Sequence, residues 1–265
     1  MSMQHLFSLE GKVGLVTGST RGIGKAIAIG LAEAGARIYV HGRDETEGTR
    51  TAQETGGTFL SADLARADAV ERLASELSAA EDRLDILVNN AGFEIAARVD
   101  EVYSDVLTSV MRVNFEAPVQ LTRLLLPLLK KSQSASVINI TSIHDHVPYQ
   151  GNSAYCSAKA ALAMFTRTIA IELGRDGIRV NAIAPGTVET DINRTVLDAI
   201  GREDFANWIP LSRIAQPSEI AGPAVFLASA AASYVSGATI VVDGAYSQNL
   251  VRYQWPMVRA TSQDA

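Results

Sequence analysis

Short apolar segments alternate with helical patterns along almost the whole chain, and this alternation constrains the fold most. Apolar runs of strand length are predicted at Lys12–Thr17, Arg37–His41, Thr58–Ser61, Leu84–Val88, Ala135–Thr141, Arg179–Ile183 and Thr239–Val242. Helices are predicted at Ile23–Ala34, Glu45–Thr55, Ala67–Ala79, Val102–Val113, Phe115–Lys131, Ser153–Gly174 and Ser218–Ser229. This order predicts an α/β fold, a doubly wound parallel sheet of Rossmann type with helices on both faces.

No linker or change in composition divides the 265 residues, so a single domain spanning residues 1–265 is predicted. The stretch Thr187–Gln216 mixes polar, proline and aromatic residues and is interpreted as irregular. Because ligands bind at the carboxyl ends of the strands in open sheets, we expect residues 187–216 to cover the site. Residues 246–265 form a tail. Its residues Tyr253, Trp255 and Pro256 are too apolar for a free end, so we expect the tail to dock against the protein surface.

Charge and composition exclude several functional classes. The net charge is −6 and basic residues do not cluster, which argues against a nucleic-acid partner. The four histidines and one cysteine lack the spacing of a metal site. The N-terminus has no signal-sequence pattern, and no apolar run is long enough to span a membrane. A cytoplasmic protein with no membrane partner is expected.

A glycine-rich loop, residues 17–24, separates the first predicted strand from the first predicted helix. Gly18 permits a tight turn, while Gly22 and Gly24 allow the backbone to approach a phosphate. The helix N-terminus supplies free N–H groups and partial positive charge. The spacing differs from the common G-x-G-x-x-G fingerprint, so the residues alone leave two possibilities open, a dinucleotide site and an ordinary strand–helix turn.

Tyr155 and Lys159 lie four residues apart on a predicted helix and therefore share one face. A phenol beside an ammonium is a candidate acid or base, because the cation lowers the phenol pKa. The alternative is that the tyrosine lies at the edge of the core and the lysine on a solvated face.

These motifs together resemble the classical short-chain dehydrogenase/reductase family over nearly the whole chain. The matching segments, in order, are Thr17–Gly24, Asn89–Gly92, Asn114, Ser142, Tyr155 with Lys159, Pro185-Gly186 with Thr190, and Phe226–Ser229, Ser236-Gly237 and Val242–Gly244. One departure is Ala245, where the family usually has a second glycine. The resemblance implies hydride transfer between a nicotinamide cofactor and a secondary alcohol or carbonyl.

The resemblance also implies a role for individual residues. Tyr155 would be the general acid/base, Lys159 would bind the nicotinamide ribose and lower the tyrosine pKa, and Ser142 would bind the substrate oxygen. Asn114 would hold a water that links Lys159 to a proton relay. The expected cofactor contacts are Gly18, Thr20, Arg21, Gly22, Ile23, Gly24, Arg43, Asp63, Leu64, Asn90, Ala91, Gly92, Tyr155, Lys159, Pro185, Gly186, Val188 and Thr190.

The cofactor preference depends on the end of the second strand, where NAD-binding members carry an acidic residue for the ribose 2′-hydroxyl. Gly42 stands at this position, with Arg43 after it and Arg21 in the glycine loop. Two guanidinium groups suit the 2′-phosphate of NADP, which is therefore favoured, with NAD possible. Asp44 leaves an alternative open, because it could bind the ribose or cap the following helix.

Glu94, His144 and Asn152 are candidate substrate contacts, together with Ser142 and Tyr155. Polar side chains here would suit a sugar, a polyol or a small hydroxy compound; the alternative is that they are solvated loop residues. A 3-oxoacyl-thioester reductase is the alternative enzyme activity. A catalytically silent protein that binds a dinucleotide as a sensor is a more remote alternative. Apolar stretches at Leu121–Leu129 and Ala158–Ile171, with the resemblance, predict a homotetramer.

Overall fold

The sheet seen in the computed structural model, which describes residues 3–66 and 68–249, is parallel throughout. Within these residues it has seven strands in the order β3-β2-β1-β4-β5-β6-β7. Their bounds are β1 (Val13–Val16), β2 (Arg37–Gly42), β3 (Thr58–Ser61), β4 (Ile86–Asn89), β5 (Ser136–Ile140), β6 (Arg179–Pro185) and β7 (Thr239–Val242). The chain reverses its direction of winding at β1, which pairs with both β2 and β4. This reversal creates the crevice in which such sheets bind ligands.

Helices connect the strands and cover both faces of the sheet. They are α1 (Met3–Phe7), α2 (Gly22–Glu33), α3 (Glu45–Thr55), α4 (Ala69–Ala80), α5 (Ser104–Met111), α6 (Ala117–Leu129), α7 (Ser153–Leu173), α8 (Asp191–Ile200), α9 (Arg202–Ala206) and α10 (Ser218–Ala228). Two apolar cores result. One contains Leu73, Leu121 and Ile169 of α4, α6 and α7, and the other contains Ile27 and Ile220 of α2 and α10. The predicted doubly wound α/β fold is confirmed.

Most predicted element bounds agree with the structure to within two residues, and α3, β3 and β7 agree at both ends. Helix and strand ends fray, so differences of this size carry little meaning. No helix of the described part of the chain is both long and apolar enough to cross a membrane. The tail residues 250–265, with Tyr253, Trp255 and Pro256, lie outside the described residues.

The prediction that residues 187–216 are irregular is wrong, because α8 and α9 lie within them. The apolar residues Ile192, Val196, Leu197 and Ile200 recur at helical spacing, a signal that the surrounding polar and proline residues obscured. Leu197 is completely buried, and it packs with Phe205 and Ile209 in a small cluster of its own. The segment is therefore a packed helical unit.

A buried chain of polar side chains connects the centre of the sheet to α7. Asn89 Nδ2 donates to Asn139 Oδ1 over 2.8 Å, and Asn139 Nδ2 donates to Thr166 Oγ1 over 2.8 Å. Each amide nitrogen donates to an acceptor, whereas the buried Asn89 Oδ1 has no partner among the described residues, so these bonds offset part of the cost of burying the amides. They also fix the position of α7, the helix that carries Tyr155 and Lys159, relative to β4 and β5.

Candidate active site

The glycine loop connects the end of β1 to the start of α2, and two of its positions have no room for a side chain. Gly18 has a φ of +63°, and a Cβ atom there would lie 2.8 Å from the Cα of Ala91. A Cβ on Gly24 would lie 2.2 Å from the carbonyl oxygen of Gly18. Both positions therefore require glycine, and the backbone N–H groups at the start of α2 stay open to a ligand. The local geometry suits a bound phosphate group.

Hydrogen bonds hold the Asn90–Gly92 segment against this loop. Asn90 Nδ2 donates to the carbonyl oxygens of Thr17 and Gly18, at 2.9 and 3.0 Å. The Thr17 hydroxyl oxygen accepts from the backbone N–H groups of Asn90 and Ala91, both at 3.0 Å. The Asn90 side chain therefore braces the loop, and its expected contact with the cofactor would have to come from atoms not used in these bonds.

The end of β2 presents guanidinium groups to the cavity. Gly42 has no space for a side chain, because a Cβ there would lie 2.4 Å from Cγ2 of Thr20. Arg43 and Arg21 both line the cavity, and each side chain is 70% exposed. Arg43 lies 3.9 Å from Asp63, and Arg21 lies 3.5 Å from Asp191. These weak surface contacts leave both cations available to an anionic ligand.

Asp44 caps a helix, which settles the alternative that the sequence left open. Its Oδ1 accepts from the backbone N–H of Glu47 over 3.0 Å, as expected of an N-cap residue of α3. Asp44 is also absent from the residues that line the cavity.

Tyr155 and Lys159 lie one turn apart on α7 and both line the same cavity. Lys159 is buried, and its Nζ donates to the carbonyl oxygen of Ile140 over 2.9 Å. The Nζ lies 5.6 Å from the centroid of the Tyr155 ring. Ser142 follows β5, and its Oγ accepts from the N–H of His144, which leaves its hydroxyl hydrogen free to donate.

Burial determines the protonation of these groups. It raises the pKa of Tyr155 above its ordinary value, more than a hydrogen bond with Ser142 lowers it. Burial also lowers the pKa of Lys159 to about 8, although the Asp145 carboxylate opposes this effect. The expected lowering of the tyrosine pKa is therefore not seen in this structure. Tyr155 is a neutral phenol at pH 7, which is the form that donates a proton.

Asn114 lies in a π-helical turn, Arg112–Glu116, between α5 and α6. Its Nδ2 donates to the carbonyl oxygens of Phe93 and Val110, both at 2.9 Å. Its buried Oδ1 has no hydrogen-bond partner among the described residues. A Cβ built on Gly92 would lie 2.6 Å from this oxygen and 3.3 Å from Lys159 Nζ, so the two polar atoms border the same small space. Isolated π turns of this kind are frequent at functional sites.

The substrate end of the cavity carries three polar side chains. Glu94 follows β4, is half-buried, and has a pKa raised by burial. His144 stacks on Tyr149 with ring centroids 4.8 Å apart and an angle of 17° between the planes. Burial lowers the pKa of His144, so its ring is neutral at pH 7.

Every predicted site residue except Asn152 lines this one cavity, whose volume is about 320 Å³. Asn152 is buried just before α7, where it forms an isolated β-bridge with Ala97, and it does not line the cavity. On the other side, Pro185 ends β6 and is followed by Gly186 and Val188, and the Thr190 hydroxyl donates to the carbonyl oxygen of Val188 over 3.3 Å.

The sequence interpretation missed Tyr149, His41, Ile192 and Asn193, which also line the cavity. His41 is buried, its Nδ1 accepts from the N–H of Gly18 over 3.2 Å, and burial lowers its pKa to about 4. Its position at the end of β2 was a usable signal. Tyr149 and Ile192 belong to loop and helix segments whose approach to the cavity has no local signature.

Comparison with known proteins agrees with this geometry. Residues 18–247 match a family profile for enoyl-(acyl carrier protein) reductase. The short chain dehydrogenase/reductase astE of Aspergillus oryzae is 39% identical over 255 residues, which cover 92% of this chain and 98% of that protein. The chain belongs to the short-chain dehydrogenase/reductase family.

Two further members of this family are named for different substrates. The rhamnolipids biosynthesis 3-oxoacyl-[acyl-carrier-protein] reductase of Pseudomonas aeruginosa is 38% identical over 92% of this chain and 99% of that protein. A gluconate 5-dehydrogenase from Burkholderia cenocepacia, solved with NADP and tartrate, is 34% identical. It superposes with a TM-score of 0.86 and covers 93% of this chain and 99% of that chain. The family identification made from the motifs is confirmed.

Proposed function

We propose that this chain is an NADP-dependent oxidoreductase that transfers a hydride between nicotinamide and a secondary alcohol or carbonyl compound. The observation that carries the proposal is the placement of Ser142, Tyr155, Lys159 and Asn114 in the same cavity as the glycine loop. A proton donor thus lies beside a site shaped for a dinucleotide.

The residues at the nucleotide end fit NADP. The N–H groups at the start of α2 would hold the pyrophosphate, and Arg21 and Arg43 would pair with the 2′-phosphate. Lys159 would bind the nicotinamide ribose, and Asp63 would accept from the adenine amino group. The NADP complex of the gluconate 5-dehydrogenase supports this choice of cofactor. When bound, the reduced nicotinamide supplies the hydride.

The chain's own residues manage the proton. Tyr155, which burial keeps protonated, donates its hydroxyl proton to the substrate oxygen as that oxygen gains charge. The Ser142 hydroxyl donates a hydrogen bond to the same oxygen and orients it. Asn114 Oδ1 and Lys159 Nζ border a space where a water molecule would reconnect the tyrosine with solvent.

The polar substrate end favours a sugar, polyol or small hydroxy compound. Glu94, His144 and Tyr149 offer oxygen and nitrogen atoms to hydroxyl groups. A 3-oxoacyl thioester, the alternative suggested by the Pseudomonas reductase, needs an apolar path for its chain. We expect a preference for the polar substrates.

A homotetramer is proposed for the assembly. Met164 and Ile171 of α7, and Leu107 of α5, are exposed apolar residues on adjacent helices. In similar proteins the helices of this region pair across a two-fold axis, and the last strand makes a second two-fold contact. Light scattering tests the proposal, because a monomer or a stable dimer would contradict it. The expected cytoplasmic location stays a prediction that cell fractionation would test.

A coupled absorbance screen tests the activity. Sugars, polyols, hydroxy acids and 3-oxoacyl thioesters would each be assayed with NAD and with NADP. Turnover with NADP and a polar substrate is expected. Absence of turnover on the whole panel, with tight NADP binding retained, would favour the silent sensor.

A further inference from the structure

The carboxylate of Glu94 stands alone on the substrate wall of the cavity. It is half-buried and makes no hydrogen bond or salt bridge with another described residue. Its negative charge contributes to raising the pKa of two nearby phenols, Tyr149 and Tyr155. A half-buried carboxylate without a donor is poorly stabilised, so a ligand that supplies one gains an unusually favourable contact.

His144 adds a second acceptor to the same wall. Its Nδ1 lies 3.0 Å from the carbonyl oxygen of Val147, which can only accept, so Nδ1 carries the ring proton. In the neutral ring Nε2 is then an acceptor with a free lone pair. Glu94 and His144 thus both require donors from whatever fills this end of the cavity.

The cationic side chains that line the cavity belong to its cofactor end. Among the described lining residues they are Arg21, Arg43 and Lys159. Arg43 follows β2, and Glu94 follows β4. Because β1 lies between these two strands, the carboxyl ends of β2 and β4 are about 10 Å apart. Lys159 Nζ donates one N–H to the Ile140 carbonyl oxygen, and in the proposed complex its remaining N–H groups face the nicotinamide ribose. None of these cations pairs with Glu94 among the described residues, and Glu94 is not among the charges that shift the pKa of Lys159.

We propose that Glu94 is a specificity-determining residue, and that the substrate carries an uncharged or cationic hydrogen-bond donor, a hydroxyl or an ammonium, next to the reacting carbon and no carboxylate. This inference rests on the proposed oxidoreductase function and narrows its substrate class. It removes hydroxy acids and sugar acids from the candidates, because two carboxylates in a partly buried space repel each other strongly.

A matched series of ketones, CH₃COCH₂X, tests the proposal on the full chain. The group X is hydroxyl in hydroxyacetone, ammonium in aminoacetone, carboxylate in acetoacetate and methyl in butanone. In each reaction NADPH gives a hydride to the carbonyl carbon, Tyr155 gives a proton to the oxygen, and the products are the alcohol and NADP⁺. Only X, the group expected to face Glu94, changes between the substrates.

For the wild-type enzyme, kcat/KM should be highest for aminoacetone and hydroxyacetone, lower for butanone and lowest for acetoacetate. Glu94→Gln should lower kcat/KM for aminoacetone about tenfold to a hundredfold, because a charge-assisted contact is lost. The same variant should raise the value for acetoacetate and change that for butanone little. Asp100→Asn is the matched control, since Asp100 is an exposed carboxylate paired with Arg98 at 3.3 Å outside the cavity.

Two results would overturn the inference. One is a wild-type preference for acetoacetate over aminoacetone, and the other is an equal loss for all four ketones in Glu94→Gln, which would indicate a structural role. If no ketone is reduced, the proposed activity fails on these compounds. The Kd values of the four ketones for the enzyme–NADPH complex then test the role of Glu94 separately. Acetoacetate binding as tightly as aminoacetone would then count against Glu94.

Discussion

The ammonium nitrogen of Lys159 lies 5.6 Å from the ring centroid of Tyr155, while its hydrogen bond goes to the carbonyl oxygen of Ile140. The cation therefore packs against the ring face. Both groups are held in a desolvated space, where burial favours the neutral form of each, raising the pKa of the phenol and lowering that of the lysine. In the proposed reduction of a carbonyl, Tyr155 would therefore act from its protonated form.

Tyr155→Phe should abolish turnover and leave NADPH binding nearly unchanged. The hydroxyl carries the proton, whereas the ring carries the packing, and loss of a positioned acid typically costs about 10²–10⁴-fold in rate. Steady-state kinetics and NADPH fluorescence titration measure the two effects. Retention of more than about a tenth of the wild-type kcat would contradict the assignment, since that loss is smaller than any expected for a proton donor.

Lys159→Met should weaken NADPH binding and lower kcat, because the ribose contact and the charge near Tyr155 are both lost. In the wild-type protein the pKa of Lys159 is lowered to about 8, so raising the pH past this value removes the charge. The Kd for NADPH should therefore increase from pH 7 to pH 9 in the wild type and much less in the variant. Parallel pH profiles for the two proteins would mean that Lys159 does not contact the cofactor.

Arg43→Ala should weaken NADP binding about tenfold to a hundredfold and leave NAD binding nearly unchanged. The Arg43 guanidinium is exposed, and its ion pair with Asp63 is long at 3.9 Å. The group is therefore free to pair with the 2′-phosphate. Arg66→Ala is a suitable control, because Arg66 is an equally exposed arginine that does not line the cavity. Equal effects on both cofactors would remove the support for NADP.

Local signals in the sequence were sufficient for most of the elements, whereas the motifs shared with the family located most of the cavity residues. The helix α3 starts after Asp44 and stops before Gly56 in a left-handed conformation, and these cap residues made its bounds predictable. The helix α8 was missed because polar residues surround its apolar stripe, which packs in a small cluster apart from the main cores.

Relations between distant segments could not be predicted from the chain alone. Tyr149 reaches the cavity by stacking on His144. The Asn152 side chain is buried outside the cavity, although Tyr149 and Tyr155, three residues away on either side, line it. The π turn at Asn114 likewise has no local sequence signature. In each case the three-dimensional packing of a loop or helix decides where a side chain lies.

Ala245→Gly should stabilise the protein by up to about 1 kcal/mol. Ala245 has a φ of +67°, a left-handed conformation that is costly for a residue with a Cβ atom. Relief of this strain competes with the greater freedom of glycine in the unfolded chain. Ala79→Gly, on the exposed side of α4, is the control and should destabilise the protein by about 0.5–1 kcal/mol. Urea unfolding compares the two, and a loss of stability in Ala245→Gly would show that the strain is negligible.

Ile171→Arg should split the proposed tetramer into smaller species. Ile171 and Met164 are 83% and 57% exposed, and their spacing of seven residues places them on the same face of α7. Such a row of exposed apolar side chains indicates a partner surface, where a charge would be buried without a counter-ion. Glu76→Arg on the exposed side of α4 changes the surface charge away from this face and should leave the assembly intact. Light scattering on both variants at equal concentration measures the mass, and a tetramer that survives Ile171→Arg would place the interface elsewhere.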